Sequence, residues 1–492
     1  MAGLGGMYRT IGWCAVCLCA LSSLAFGASA SSSPYDLILS GGLVVDGSGA
    51  GAFEADVGVR GDTIVRVGDL SKARALERID VSGKWVVPGF IDLHSHSDGA
   101  DINTGLRSYN PTRRAALNLV TQGITTAVVN QDGRSPLDIA RQKAHLTKDG
   151  MGLNAVLMVG HNTIRHTAMQ GHNEERPVTP EELKRMRALL LRGMNAGAYG
   201  LSAGLEYEPG IWSTPEELTA LVREIVPYGG VYIAHERSSG LDPMWVVPSQ
   251  DSTEQPTMLD SIAEVIRIGE DTGATVVATH IKARGMDYWG KSAPMVEAIN
   301  AARKRGVHIY ADQYPYTSSG SDGSIVLLPY WILEGHEGSG TDYAEALRAV
   351  LRDPERARVL NRDIEHEMRR RGGAERILVM RHPEANFVGK SLAQLAEARG
   401  VSVVEMVYLL QLEGDGNRFG GAVLRGFSMH MEDIELFARQ PWVATASDAG
   451  IALHEDGLVH ARYYGTFPRK IRHFAINNAF MTKEEVIRSM TG

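Results

Sequence analysis

Cysteine is nearly absent: the only three, Cys14, Cys17 and Cys19, lie inside one apolar run, Ile11 to Gly27. Arg9 precedes that run and Ala28-Ser29-Ala30 follows it, matching the charged, apolar and small-residue parts of a secretory signal. The run is shorter than the roughly 20 apolar residues that span a bilayer, and no other long apolar run occurs. Residues 1–30 are therefore expected to be a signal peptide cleaved after Ala30, leaving an exported, periplasmic or secreted protein with no stable membrane anchor. An uncleaved anchor is the alternative reading. No small-residue tripeptide of lipobox type precedes these cysteines, so lipid attachment is not indicated. A mature chain from Ser31 contains no cysteine, which excludes structural disulfides, thiolate metal sites and a cysteine nucleophile. Any zinc would have to be held by histidine and carboxylate.

A basic surplus is missing as well. The 50 Lys+Arg against 58 Asp+Glu give a net charge of −8, and no Lys/Arg cluster with interleaved aromatics occurs, which argues against a nucleic-acid partner. The 492 residues, 44% hydrophobic and 22% charged, suit one large globular domain plus a smaller companion. There is no internal repeat and no low-complexity tract beyond Ser31-Ser32-Ser33.

From Tyr35 to Val87 the text consists of short β-type runs broken by glycine, so residues 31–87 read as a small β module. After Val87, apolar β-rich runs alternate with helical segments, the pattern of βα units around a parallel sheet. The expected strands are Gly89 to His96, Ile124 to Asp132, Asn154 to His161, Gly200 to Leu205, Val231 to Glu236, Thr275 to Lys282, Val307 to Tyr314 and Val443 to Asp448. Helical text follows several of them, as at Pro180 to Ala196 and Pro215 to Val226, the latter opened by Ser213-Thr214-Pro215-Glu216-Glu217 as a cap. Eight such units predict an α/β fold, a (β/α)₈ barrel over residues 88–492. The segment from Thr317 to about Ala438 is too long for a loop and is expected to be an inserted subdomain between strands seven and eight.

The strongest local signal is Val87-Pro88-Gly89-Phe90-Ile91-Asp92-Leu93-His94-Ser95-His96. Residues two apart on a strand share a side, so His94 and His96 can present two imidazoles to one ion. Alone, the pair reads equally as two polar residues leaving a sheet. The context favours metal, because Asp132, His161, Glu206, His235, His280 and Asp448 fall at or just past the ends of other expected strands. In a barrel those ends converge on one mouth, where active sites are built.

These residues carry a resemblance. The Pro-Gly-Phe-Ile-Asp-x-His-x-His run, the strand-end His235 and His280, and then Asp448 resemble the amidohydrolase superfamily of metal-dependent hydrolases. Within it, Gly160-His161-Asn162-Thr163-Ile164-Arg165, Gly200-Leu201-Ser202-Ala203-Gly204-Leu205-Glu206-Tyr207, Tyr314-Pro315-Tyr316-Thr317 and Tyr464-Gly465-Thr466-Phe467-Pro468-Arg469 are similar to the N-acyl-D-amino-acid deacylase (D-aminoacylase) family. The resemblance runs from about Tyr35 to the last residue. It implies zinc-dependent hydrolysis of the amide bond of N-acyl-D-amino acids, with one or two divalent ions and a small N-acyl amino acid as the partner. By the same resemblance Asp448 is the general base and then the acid toward the leaving amine; its alternative role is to orient a histidine. His235 and His280 would hold the tighter metal, and His94 and His96 with Asp448 a weaker one. Lys282, Tyr316 and Arg462 would contact substrate, Arg462 by gripping its carboxylate, although a surface lysine and a packed tyrosine are alternatives for the first two.

The sequence departs from the family in three places. The best-known members resemble Gly-Asn-Cys-Gly after the second strand, whereas this chain reads Asn130-Gln131-Asp132-Gly133. Aspartate offers a hard oxygen and can bridge two ions, so Asp132 is the expected third ligand; if it is only a turn former before Gly133, Glu206 takes its place. Ala461 stands where the family more often has proline. The resemblance also implies strands beyond the last barrel helix that complete the β module. The sequence ends at Met490-Thr491-Gly492, so the module is expected to lack its C-terminal half and to carry unpaired edges. The lysine that some amidohydrolases carboxylate at the fourth strand has no counterpart here. His161 and Arg165 are expected to be an interior hydrogen-bonded pair. The competing functional readings are an amidohydrolase of another amide, a dipeptide or cyclic imide, and a truncated, catalytically silent homologue.

Overall fold

The computed structural model describes residues 34–99, 104–172, 174–252, 254–320, 325–336 and 341–491. The expected signal peptide and all three cysteines lie outside the described residues. Among those described, no helix is long and apolar enough to cross a membrane.

The described chain divides into two compact units, one up to Leu43 with Glu54–Lys84, the other Val44–Phe53 with Trp85 onward. The smaller is built on β1 (Tyr35–Val44), β2 (Phe53–Arg60), β3 (Thr63–Gly68) and β4 (Ala75–Asp80), ordered β3-β2-β1-β4. β1 and β4 run parallel, and β2 and β3 form an antiparallel pair. The expected boundary at Val87 is not the observed one, because the excursion Val44–Phe53 belongs to the larger unit. Val45 sits in the barrel's hydrophobic core, and the Ala52 N–H donates to Glu484 Oε1 at 3.1 Å.

The larger unit opens with β5 (Trp85–Val86) and then forms the barrel: β6 (Phe90–Asp92), β7 (Ile124–Val129), β8 (Asn154–Leu157) with β9 (Val159–Gly160), β10 (Gly200–Gly204), β11 (Val231–His235), β12 (Thr275–Ala278) and β13 (Ile309–Gln313). After β14 (Ile377–Arg381) and β15 (Val423–Gly426), which pair only with each other, β16 (Val443–Thr445) completes it. The strands run parallel as β6-β7-β8 and β9-β10-β11-β12-β13-β16, with β8 and β9 sharing one barrel position around Met158. The last strand meets the first where the Asp448 N–H donates to the His94 carbonyl and the His96 N–H to the Ala449 carbonyl, both at 2.9 Å. Those two bonds set residues of the first and eighth barrel positions side by side. β10 is buried at every residue, as expected of a parallel strand covered on both faces.

The covering helices start where the sequence supplies caps. Thr179 and Glu182 form a reciprocal capping box at the helix Pro180–Asn195, and the Thr214 hydroxyl accepts the Glu217 N–H at the helix Pro215–Ile225. The insertion carries its own core, including Ile325, Leu347, Leu360, Ile377, Leu410 and Leu424, buried apart from the barrel's. It ends before the expected Ala438: the helix Met431–Ala438 packs on the helix Ser292–Lys304, and Ile434 and Phe437 enter the barrel core.

Candidate active site

Most expected strands stop short of the residues expected to end them. β6 ends at Asp92, β7 at Val129, β12 at Ala278 and β16 at Thr445, so His94, Asp132, His280 and Asp448 stand in the turns just beyond. The backbone explains the difference, since Asp132 (φ 55°), His280 (φ 37°) and Asp448 (φ 50°) adopt left-handed conformations that no ladder continues. They are three of only seven non-glycine residues with positive φ among those described. Each such residue costs on the order of 1–3 kcal/mol, and strain of this kind clusters at functional sites. Asp132 is thus both the turn former and the side chain aimed at the histidines.

The six expected ligands converge. Asp132 Oδ1 lies 3.1 Å from His235 Nδ1, 3.5 Å from His94 Nε2 and 3.9 Å from His280 Nε2, while its Oδ2 lies 3.5 Å from His96 Nε2. Asp448 Oδ1 lies 3.1 Å from His96 Nε2 and 3.7 Å from His94 Nε2. Ligand atoms of His94, Asp132 and His280, and of His94, His96 and Asp448, each fall within 4.8 Å of one another. The sets expected to be separate therefore share His94, and the two Asp132 oxygens face different histidines.

The surrounding groups fix which ring nitrogens are open. The Thr279 hydroxyl donates to Asp312 Oδ2 at 2.6 Å and so accepts from His94 Nδ1 at 2.6 Å, leaving His94 Nε2 for a ligand role. Asp312 also accepts the His280 backbone N–H at 2.7 Å. His235 Nε2 donates to Glu206 Oε2 at 3.1 Å, so its Nδ1 is the atom facing Asp132. Glu206 stands behind His235 and orients it, while its Oε1 accepts the Met244 N–H at 2.7 Å and Arg284 Nη2 at 3.2 Å. It bonds His235 from behind, in place of the substitute ligand position the sequence allowed.

Electrostatics favour a cation. Burial pushes His94 down to about 4, so its ring is neutral and carries a lone pair. Burial also disfavours the cationic forms of His96 and His235, yet the carboxylates outweigh it and raise both to about 9, Asp448 and Asp132 acting on the first, Asp132 and Glu206 on the second. Burial opposes ionisation of Asp132 and Asp448 too, but His235 and His94 for the one, and Arg462 and His96 for the other, hold them far below the usual carboxylate range. Two ionised carboxylates and a neutral imidazole, with no thiolate, suit a borderline or hard divalent ion such as zinc.

The substrate residues divide. Lys282 and Arg462 line the pocket with the ligands. Lys282 Nζ lies 2.9 Å from His280 Nδ1. Arg462 Nη1 donates to Asp448 Oδ2 at 2.6 Å, so one arm of the fork expected to grip substrate is already bound to Asp448. Tyr316 is not in the pocket. Its hydroxyl donates to the Ala461 carbonyl at 3.3 Å, and its ring lies 5.0 Å from the Arg469 guanidinium carbon. Tyr314 lines the pocket instead, its ring 4.9 Å from the Arg462 guanidinium carbon. β13 ends at Gln313, and past that point residues two apart no longer share a face.

His161 and Arg165 do not bond each other. Both are buried and meet at Glu217, whose Oε1 lies 2.8 Å from His161 Nε2 and whose Oε2 accepts Arg165 Nη1 at 2.6 Å.

The same arrangement has relatives. A sequence model of the amidohydrolase family matches residues 77–227. A D-aminoacylase of Alcaligenes xylosoxydans xylosoxydans is 30% identical over 484 residues, spanning 94% of this chain and 83% of the relative. The chain belongs to the D-aminoacylase family of amidohydrolases. Among solved members of that D-aminoacylase family, an N-acyl-D-glutamate deacylase from Bordetella bronchiseptica, complexed with zinc and a phosphonate mimic of the tetrahedral intermediate, is 26% identical with a TM-score of 0.66. The match covers 93% of this chain and 84% of that one. A D-aminoacylase described with a binuclear metal centre is 28% identical with the same TM-score of 0.66, over 93% of this chain and 85% of its own. The metal dependence of the D-aminoacylase family suits the donors gathered here, and zinc, as one or two divalent ions, is the cofactor.

Asp132→Asn replaces one of the two oxygens that face separate histidines with a donor that cannot ligate. The variant is expected to retain about one metal ion fewer per chain after dialysis, read by atomic absorption; unchanged metal content would show that Asp132 is not shared between two ions.

Proposed function

We propose that this chain is an exported, metal-dependent hydrolase that splits the amide bond of N-acyl-D-amino acids, releasing a D-amino acid and a carboxylate. One observation carries the reading: a pocket in which Asp448, gripped by Arg462, lies against two strand-end histidines and faces Lys282 and Tyr314. The relatives' activities support the substrate class. Export is supported by Arg9, the apolar run Ile11 to Gly27 and the small residues Ala28-Ser29-Ala30.

His94, His96, Asp132, His235, His280 and Asp448 would hold the zinc. When bound, it polarises the scissile carbonyl and lowers the pKa of water near it. The remaining work falls to the chain. Asp448, ionised and fixed by Arg462, accepts a proton from the attacking water as the new C–O bond forms, then delivers it to the leaving nitrogen as the C–N bond breaks. The elements of water are divided between the two products, and Asp448 returns to its starting state. Lys282 and Tyr314 line the same pocket as Asp448, so the polarising role expected of Tyr316 passes to Tyr314.

The test is release of free amino acid by purified Ser31 to Gly492, with zinc added and with chelator, from N-acetyl-D-methionine and its L-enantiomer. Release from the D-enantiomer alone, abolished by chelator, is expected. No release from either by a folded, metal-loaded protein would overturn the reading.

A further inference from the structure

One cation in the pocket has no role in that chemistry. Arg284 is 2% exposed, lines the same pocket as Asp132, His235 and Asp448, and uses only part of its guanidinium. Its Nη2 donates to Glu206 Oε1 at 3.2 Å and to the Asp242 carbonyl at 2.8 Å, while Nε and Nη1 have no hydrogen-bond partner among the described residues. A buried guanidinium pairs its N–H groups wherever it can, because leaving them dry and unpaired is expensive. Nε and Nη1 lie on different edges of the guanidinium, and each can donate one charge-assisted hydrogen bond to an oxygen of an anion.

Arg284 is not alone. Arg462 also lines the pocket and also has a buried Nε without a partner, but it is fastened to Asp448, whereas Arg284 is fastened to Glu206. The pocket therefore offers two separately anchored guanidinium groups with unpaired donors. An α-carboxylate held by Arg462 leaves the donors of Arg284 without an anion.

Building on the hydrolase reading above, we propose that Arg284 binds a second carboxylate of the substrate, so that the preferred substrates are N-acyl-D-amino acids bearing an additional acidic group. That group can sit on the side chain, as in an N-acyl derivative of an acidic amino acid, or on the acyl part, as in an N-succinyl derivative. The chemistry at Arg284 is the same in both.

The test compares each acid with a neutral partner of similar shape. Steady-state kcat/KM is measured with N-acetyl-D-glutamate against N-acetyl-D-glutamine, and N-succinyl-D-leucine against its terminal amide N-succinamoyl-D-leucine, for metal-loaded wild type, Arg284→Met and Arg284→Lys. Because Arg284 also steadies Glu206 behind His235, absolute rates fall for every substrate in the variants. The acid-to-neutral ratio is the readout that a merely structural role would not move. A wild-type preference for one acid of about 10- to 100-fold is expected, removed in Arg284→Met and partly kept in Arg284→Lys. Preference in the first pair puts the carboxylate on the side chain; preference in the second puts it on the acyl group. No preference for either acid, or a preference that survives in Arg284→Met, would overturn the proposal. If no N-acyl-D-amino acid is turned over, the hydrolase reading fails on its own. Calorimetric binding of glutarate then decides Arg284, supporting it if Arg284→Met weakens binding at least tenfold and overturning it otherwise.

Discussion

Asp448→Asn is expected to lower kcat by about 10²–10⁴-fold, the span of a lost general acid and base. The side chain keeps its size but loses the capacity to take up and return a proton. Asp448 also faces His96 and His94, so the same change could act through metal. The two causes separate experimentally. Metal content is measured on the protein assayed, and kcat is compared at saturating zinc, where a weakened ligand recovers and a missing proton carrier does not. Arg462 sharpens the expectation, because its Nη1 donates to Asp448 Oδ2 at 2.6 Å and an amide nitrogen there would oppose donor with donor. Arg462→Ala should then raise KM and lower kcat together, since the arginine both fastens Asp448 and reaches the pocket. A kcat for Asp448→Asn within tenfold of wild type at full metal occupancy would remove Asp448 from the proton path.

Much of the centre was legible because a barrel turns a one-dimensional pattern into a ring. His94, Asp132, His235, His280 and Asp448 recur at or just past strand ends, and closure of the first position against the eighth sets His94 beside Asp448. The residues that hold the ligands were less visible. Asp312 and Glu206 bond His280 and His235 from neighbouring barrel positions and Thr279 bonds His94 from the sixth position to the first, and no spacing within one segment encodes a hydrogen bond between segments. The strand-end address found Glu206, two residues past β10, as a reserve ligand rather than as the partner of His235, and the same address could have found Asp312, which precedes the last residue of β13. Tyr316 was expected from the resemblance alone, and the structure puts Tyr314 in the pocket instead. Both tyrosines lie past the end of β13 at Gln313, where strand alternation no longer says which of them faces the pocket. The module boundary failed because Val45 and Ala52 join the larger unit through packing and a bond to Glu484, more than four hundred residues away in sequence. The insertion was recognisable by length, but its end was not. The helix Met431–Ala438 carries apolar residues that suit either core, and only contact with the helix Ser292–Lys304 assigns it to the barrel.

Glu217→Gln is expected to destabilise the fold by about 3–5 kcal/mol, as breaking a buried ion pair on one side does. Glu217 is 3% exposed, and the two groups it joins, His161 and Arg165, are fully buried. The Arg165 guanidinium also donates to the Pro209 carbonyl at 3.0 Å and to the Glu174 and Arg176 carbonyls at 3.1 and 2.5 Å, so every one of those partners is neutral. Glu217 alone among them supplies a counter-charge. Neutralising it strands a guanidinium in the interior and turns the bond to His161 into a weaker one. Cap and network also meet at this residue: its backbone N–H is held by Thr214, so the glutamate fixes the start of the helix Pro215–Ile225 against the helix His161–Met169. None of the three residues lines the catalytic pocket, and kcat per folded molecule should therefore stay near wild type. Urea unfolding followed by circular dichroism, with activity normalised to the folded fraction, measures both halves. A loss below about 1 kcal/mol would put Glu217 in the class of exposed ion pairs, whose contribution is that small. The double change Glu217→Leu with Arg165→Met should recover part of the stability, because replacing the buried Arg165–Glu217 pair by apolar groups of similar volume leaves no stranded guanidinium.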